Sequence, residues 1–481
     1  MKQGSILSSL SFKFIERLSV KGLGLIISVI LARLLSPTEF GEIAIIMVFI
    51  NLCQTFVQSG LNTALIQSKD LKKEDYSTVF YISVAVAALM VAILWICAPW
   101  IGIYYQNPNL VLPLRVYSFS LLFAALNSVQ VAKLSREMAF KEIFLCSLIS
   151  SVLSGALGVT LAFCGAGIWA LIVYYFAATI VTCVTMLFAT KWIPQLCFSI
   201  QRARTLFSYG WKMLASAVLC SLYADIRTLI IGKQFSEADL GYYSRGQQFP
   251  DILSNTLDVS IQSVMFPALA RRQDNTEAVK IMLRKTVTLG CLLIIPVMAG
   301  LAVAAKPFIT FLLTEKWLPC VPFMQILCIA YASVPLSSSY LVAIKAIGRS
   351  DTYMILEIIR RTVMLSILLI TVFVFQTVEA IAWGYAISLW IDAIIVAIPT
   401  YRLLGYRFSE QLADLWRPLV TSLLMGGVLI PLTLLPIPNV LILIIQVVAG
   451  ILVYLGLNIL LKNPALKDIF VILGKLKKKK A

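Results

Sequence analysis

The chain contains no histidine, and only 13% of its 481 residues are charged. Without imidazole it lacks the commonest metal ligand and the usual acid–base catalyst near neutral pH. Its ten cysteines include no CxxC pair and sit mostly inside apolar runs, so they read as small packing residues and no metal site is expected. Long polar stretches are also missing. The most polar segments, near Lys191 to Tyr209 and Tyr401 to Trp416, span less than about twenty residues, too little for a soluble domain. The opening MKQGSILSSLSFKFIERL has no short apolar core followed by a small-residue cleavage site, so it reads as the start of a helix rather than a removable signal peptide.

What the chain does have is apolar length. Hydrophobic residues make up 60% of it and the mean hydropathy is +0.91, far outside the soluble range. Roughly 20 apolar residues span a hydrocarbon core of about 30 Å as a helix, and such runs recur from near Phe12 to near Lys462, roughly fourteen in all. Each run is longer than a barrel strand and lacks strict alternation, which excludes a β-barrel. The expected fold is an all-α polytopic membrane protein.

Basic residues cluster in alternate loops: Lys69, Lys72 and Lys73; Lys133, Arg136 and Lys141; Lys191, Arg202 and Arg204; Arg271, Arg272, Lys280, Arg284 and Lys285. By the positive-inside rule those loops face the cytoplasm, together with Lys345, Arg349, Arg402, Arg407, Arg417 and the tail KLKKKK. Both termini are then cytoplasmic. The formal charge of +17 is largely this orientation bias plus a tail suited to anionic lipid headgroups, so no nucleic-acid partner is expected.

The sequence also echoes itself. Arg33, Ser36, Glu39 and Gly41 recur as Lys233, Ser236, Asp239 and Gly241, a basic residue, serine, acid and glycine in matching places. Six helices lie between the copies, so the two halves share one orientation, an arrangement of transporters.

Charges placed inside apolar runs carry the chemistry, since each costs roughly 2.5–3.5 kcal/mol at a helix centre on insertion scales. Lys13, Arg17, Lys21 and Ser28 fall on one helical face. Lys212, Ser216, Tyr223 and Arg227 repeat that spacing near Asp225; Arg245 follows, and then Glu357, Arg360 and Arg361. Lys13, Arg33 and Lys212 fit snorkelling positions at helix ends. Arg17, Lys21, Arg227, Arg245, Arg360 and Arg361 lie deeper or outnumber the nearby acids, which predicts an excess-positive cavity. Guanidinium forks match phosphate oxygens, so the expected ligand is a phosphate-bearing anion. Asp225, Glu357 and Asp392 are candidates for ion coupling, with structural ion pairs as the alternative. Tyr76, Tyr81, Tyr242, Tyr243, Gln247, Gln248, Trp383 and Tyr385 offer sugar stacking and hydrogen bonding, or interfacial anchoring.

Phe14-Ile15-Glu16-Arg17, the run Ile30 to Gly41, the run Gln58 to Gln67, Leu134 to Phe140 and Leu240 to Arg245 together resemble bacterial polysaccharide-unit flippases of the Wzx/WzxC type. These belong to the multidrug/oligosaccharidyl-lipid/polysaccharide exporter superfamily. The resemblance implies two pseudo-symmetric six-helix lobes in a V, here 1–206 and 207–401, then two helices in 402–462 and a basic tail in 463–481. It further implies an inner-membrane transporter, not an enzyme, that needs no cofactor. Its substrate would be an undecaprenyl-diphosphate-linked oligosaccharide for O-antigen, capsule or exopolysaccharide assembly, with polysaccharide polymerase machinery as a neighbour. In that frame Arg17, Lys21, Arg227 and Arg245 hold the diphosphate. A drug or cation antiporter of the same superfamily would need excess acid in the cavity, and a non-transporting scaffold of a glycan assembly complex would need only structural ion pairs.

Overall fold

The computed structural model describes residues 21–58, 65, 73–137, 139–195, 197–461 and 463. Lys13, Arg17, Lys69, Lys72 and the basic tail from 464 onward lie outside them. The described residues are mostly helical, with no strand among them. Twelve segments are long and apolar enough to cross a membrane. The expected fourteen are not reached on those two properties alone: residues 21–34 are helical but continue a sequence that lies outside the described residues, and Glu237–Ala270 is 34 residues long but too polar. We label 21–34 as α1, Pro37–Gln58 α2, Lys73–Tyr104 α3, Val111–Ser118 α4, Ser120–Arg136 α5, Phe140–Phe163 α6, Ile168–Thr190 α7, Ile200–Gln234 α8 and Glu237–Ala270 α9. The rest are Thr276–Val303 (α10), Ala305–Leu312 (α11), Val321–Tyr331 (α12), Val334–Ala346 (α13), Ser350–Ile370 (α14), Val378–Leu404 (α15), Phe408–Leu429 (α16) and Asn439–Leu460 (α17).

The chain packs as two compact units, Met1–Gly241 and Tyr242–Ala481. In the first, α6 and α7 form a hairpin whose contact is written in small residues. Ser150, Ser154, Gly158 and Ala162 recur every fourth position and are all buried. A methyl group on Gly158 would meet Tyr174 Cβ at 2.7 Å, and the Ser150 hydroxyl donates to the Ala178 carbonyl at 2.7 Å. Close backbone approach and interhelical hydrogen bonds replace the hydrophobic drive that lipid does not supply.

The two copies of the echo fold alike and meet within this unit. Ser36 and Glu39 cap the start of α2, and Ser236 and Asp239 cap α9 in the same way. A Cβ on Gly41 would lie 1.7 Å from the Glu237 carbonyl oxygen, and one on Gly241 would lie 2.0 Å from that of Pro37. Each glycine therefore presses on the carbonyl four residues before the other, and only hydrogen fits at either place. Beside this crossing the Asn107 carboxamide donates to Glu42 at 2.8 Å and to Glu237 at 3.2 Å.

In the second unit α10 is the central helix, capped by Asn275, whose side chain accepts from the Ala278 amide at 2.9 Å. Leu292 on α10 packs with Met425, Leu429 and Tyr454, and the Tyr454 hydroxyl donates to the Leu292 carbonyl at 2.9 Å. That bond and core fix α16 and α17 to the unit. At Gly246, α9 lies so close to α12 that a Cβ would sit 2.9 Å from the Met324 amide nitrogen and 3.0 Å from the Cys320 carbonyl oxygen.

Candidate functional site

Arg360 is held by two carboxylates. From α14 its Nη2 donates to Asp392 Oδ2 on α15 at 2.9 Å, its Nε to the other oxygen of Asp392, and its Nη1 to Glu357 Oε1 at 3.0 Å. The Asp392 side chain is 1% exposed. Glu357, one turn earlier, also takes Arg361 Nε at 3.3 Å and the Tyr353 hydroxyl at 2.9 Å. Two arginines thus meet two carboxylates, and the cluster is neutral. Burial explains the arrangement: a guanidinium in a membrane-spanning helix holds its charge only where carboxylates replace water. Two of the proposed coupling acids, Glu357 and Asp392, are therefore brought together with Arg360 in this cluster.

Arg245 is 6% exposed on α9, bonded to the Gln248 carboxamide, its guanidinium 5.8 Å from the centroid of the buried Trp317 ring. In the first unit Arg227 is 9% exposed on α8, within electrostatic reach of Asp225. Lys21 is exposed on α1. Of the aromatic and amide candidates, Tyr243 is a core residue packed edge-on to Phe323, Tyr385 packs edge-on to Tyr331, and Gln247 donates to the Tyr331 hydroxyl at 3.0 Å.

Sequence reasoning took Arg245 and Gln248 separately, without the longer pattern they belong to. Arg245, Gln248, Asp251, Asn255, Asp258 and Gln262 follow one another at three- and four-residue steps, so they form one stripe along α9. Within it Arg245 bonds Gln248, Asn255 donates to Asp251 at 2.7 Å, and Gln262 donates to Asp258 at 3.3 Å. A search for helical spacing among acids and amides as well as bases would have found it.

A second charged cluster joins α10 to α16. Arg284 Nε and Nη2 grip Asp414 at 2.8 and 2.9 Å, Nη1 reaches Glu410 at 3.2 Å, and Lys280 pairs with Glu410 at 3.1 Å. Tyr406, in the turn before α16, donates to Asp414 at 2.7 Å; burial and that bond push its hydroxyl pKa far up, so it stays a donor at physiological pH. A cavity of about 930 Å³ in this unit lies elsewhere, between Lys306, Glu315, Gln325, Leu434 and Ile442, and none of the predicted cations lines it.

The family described as "Polysaccharide biosynthesis protein" matches residues 30–322. The chain is 23% identical over 434 residues to succinoglycan biosynthesis transport protein ExoT of Rhizobium meliloti (strain 1021), covering 88% of this chain and 85% of that one. It is 23% identical over 428 residues to lipopolysaccharide biosynthesis protein WzxC of Escherichia coli (strain K12), covering 87% and 85%. Among solved structures, lipid II flippase MurJ in an inward closed conformation superposes with a TM-score of 0.78 at 18% identity, over 94% of this chain and 99% of that one. An inward-facing multidrug resistance MATE transporter gives 0.61 at 15% identity, over 82% and 98%. The family resemblance read from the sequence and the all-α membrane fold are both borne out by these matches.

Proposed function

The chain belongs to the polysaccharide biosynthesis protein family, and from that premise we propose that it flips an undecaprenyl-diphosphate-linked oligosaccharide from the cytoplasmic to the outer leaflet of the inner membrane. The observation that carries the chemistry is α9: a 34-residue helix in a multi-pass membrane protein, too polar to count as an apolar span and bearing a buried guanidinium at Arg245. At about 1.5 Å per residue a helix of this length is long enough to cross the bilayer, so its polarity answers to something other than lipid.

The headgroup and sugars cross in a wet cavity by alternating access while the lipid tail stays in the bilayer, and no covalent bond changes. In the second unit Arg245, Arg360 and Arg361 are the cations that replace water around the diphosphate. Without them its charge would cost tens of kcal/mol by Born estimates in a medium of dielectric about 4. Arg245 is the first choice among them, because its guanidinium plane is held by Trp317 and Gln248. Arg360 is the last, because releasing it leaves Asp392 buried without its cation. With cytoplasm-negative potential, outward movement of an ionised headgroup gains about 2.3 kcal/mol per charge per 100 mV.

The test is export of lipid-linked oligosaccharides in cells lacking their own flippase, comparing wild type with Arg245→Ala at matched membrane levels. Loss of export with substrate stalled on the cytoplasmic leaflet is expected. Full export by Arg245→Ala removes the arginine from the site, and failure of the wild type across several glycans overturns the reading.

A further inference from the structure

The second half of the α9 stripe holds a carboxylate that the cationic reading leaves without a task. Asp258 is 9% exposed, and its bonded partners are neutral: the Ser338 hydroxyl donates to Oδ1 at 2.6 Å and Gln262 Nε2 at 3.3 Å. Among the described residues no lysine or arginine acts on it. This differs from Asp392, Glu410 and Asp414, each of which has a basic partner.

The Gln262 side chain is poorly served where it stands. Its one amino group is spread over Asp258 at 3.3 Å, Ser338 Oγ at 3.1 Å and Ser339 Oγ at 3.5 Å, and only the Ser338 contact lies in the ordinary range for an N–H···O bond. Its carbonyl oxygen is buried with no hydrogen-bond partner. Rotating the carboxamide by half a turn, which changes its shape very little, brings that oxygen to the three others. Serine hydroxyls then have an acceptor, but Asp258 faces an oxygen. A cation among them satisfies all four groups.

The chemistry of the set selects the ion. All donors are oxygens, which suit hard cations, and the site carries one negative charge. Among the described residues no group of three or more histidine, cysteine or carboxylate side chains is placed to hold a metal, so the single charge fits a monovalent ion better than calcium or magnesium. We propose that Asp258, Gln262, Ser338 and Ser339 form a sodium site joining α9 to α13. Binding there stands apart from the glycan reading; its use as a driving ion for export rests on it.

The experiment is thermal unfolding of the purified full chain in detergent, in sodium chloride and in choline chloride at matched ionic strength and pH. Sodium is expected to raise Tm saturably by several degrees in the wild type and not in Asp258→Asn. Ser338→Ala, which keeps the charge and removes one ligand, is expected to fold and to raise the half-saturating sodium concentration about tenfold. This second variant keeps the test open if Asp258→Asn fails to fold. Equal Tm in the two salts for the wild type overturns the site, as does a sodium response unchanged in either variant. A Tm that follows pH and ignores sodium also overturns it, assigning Asp258 to a proton instead. A sodium response in a chain that exports no glycan leaves the site standing and the proposed function fallen.

Discussion

The second unit contains two clusters of two bases and two acids, and they differ chiefly in how deeply the protein buries them. In the Arg360 cluster the arginine side chain is 11% exposed and Asp392 1%; in the Arg284 cluster the arginine is 36% exposed and Asp414 15%. Both sum to zero charge and both tie one long helix to another. What the difference teaches is that equal charge counts do not mean equal energies. Exposed pairs are screened and contribute about 0–1 kcal/mol, whereas breaking a buried pair strands the remaining charge at about 3–5 kcal/mol.

The largest expected effect follows directly. Asp392→Ala should destabilise by about 3–5 kcal/mol, because Arg360 is left buried among apolar helices with only Glu357. Replacing both, as Arg360→Met with Asp392→Leu, should restore most of the loss. Thermal unfolding of the three proteins in one detergent checks it; a double variant no better than the single would mean that the pair has a role beyond neutralising itself.

Next comes the glycine crossing of the first unit. Gly241→Ala puts a methyl on the Pro37 carbonyl, and overpacking of this kind costs about 1–3 kcal/mol. Gly41→Ala should cost as much, and the double variant should cost less than the sum, since one displacement of the chain relieves both contacts. Asp414→Ala ranks beside it, at about 1–3 kcal/mol because the buried Tyr406 hydroxyl loses its acceptor, and the ion-pair share of the loss should shrink in high salt while the loss at Asp392→Ala does not. A salt response of the opposite order would break the comparison.

These differences also mark what the sequence made legible. Apolar runs announce the spans because lipid leaves the backbone no alternative, and the nine-residue echo, repeated 200 positions later, could be read because its caps and glycines do local work at fixed spacing. The partner of a charge could not be read. Asp392 stands alone in an apolar run, 32 residues from Arg360, and nothing local says which guanidinium reaches it. Lys280 and Arg284 read as loop charges that set orientation, although their four-residue spacing matches that of Glu410 and Asp414 in reverse sign. Two such complementary pairs at the starts of two helices are a signal for helix pairing that a loop count overlooks. The α9 stripe was missed for a related reason: amides and single acids were weighed one at a time, while their meaning lies in the shared face.

The smallest stability effect is expected at Arg361, and it separates structure from transport most cleanly. Its side chain is 41% exposed and its bond to Glu357 is one the neighbouring Arg360 also makes. Arg361→Ala should therefore change stability by less than about 1 kcal/mol, since Glu357 keeps a cation. Export is the second axis. If Arg361 meets the diphosphate, export falls while Tm holds, and Arg361→Lys, which keeps the charge but loses the fork, recovers only part of it. If Tm and export both hold, Arg361 belongs with the surface charges, and the buried Arg245 carries the weight of the site in this unit.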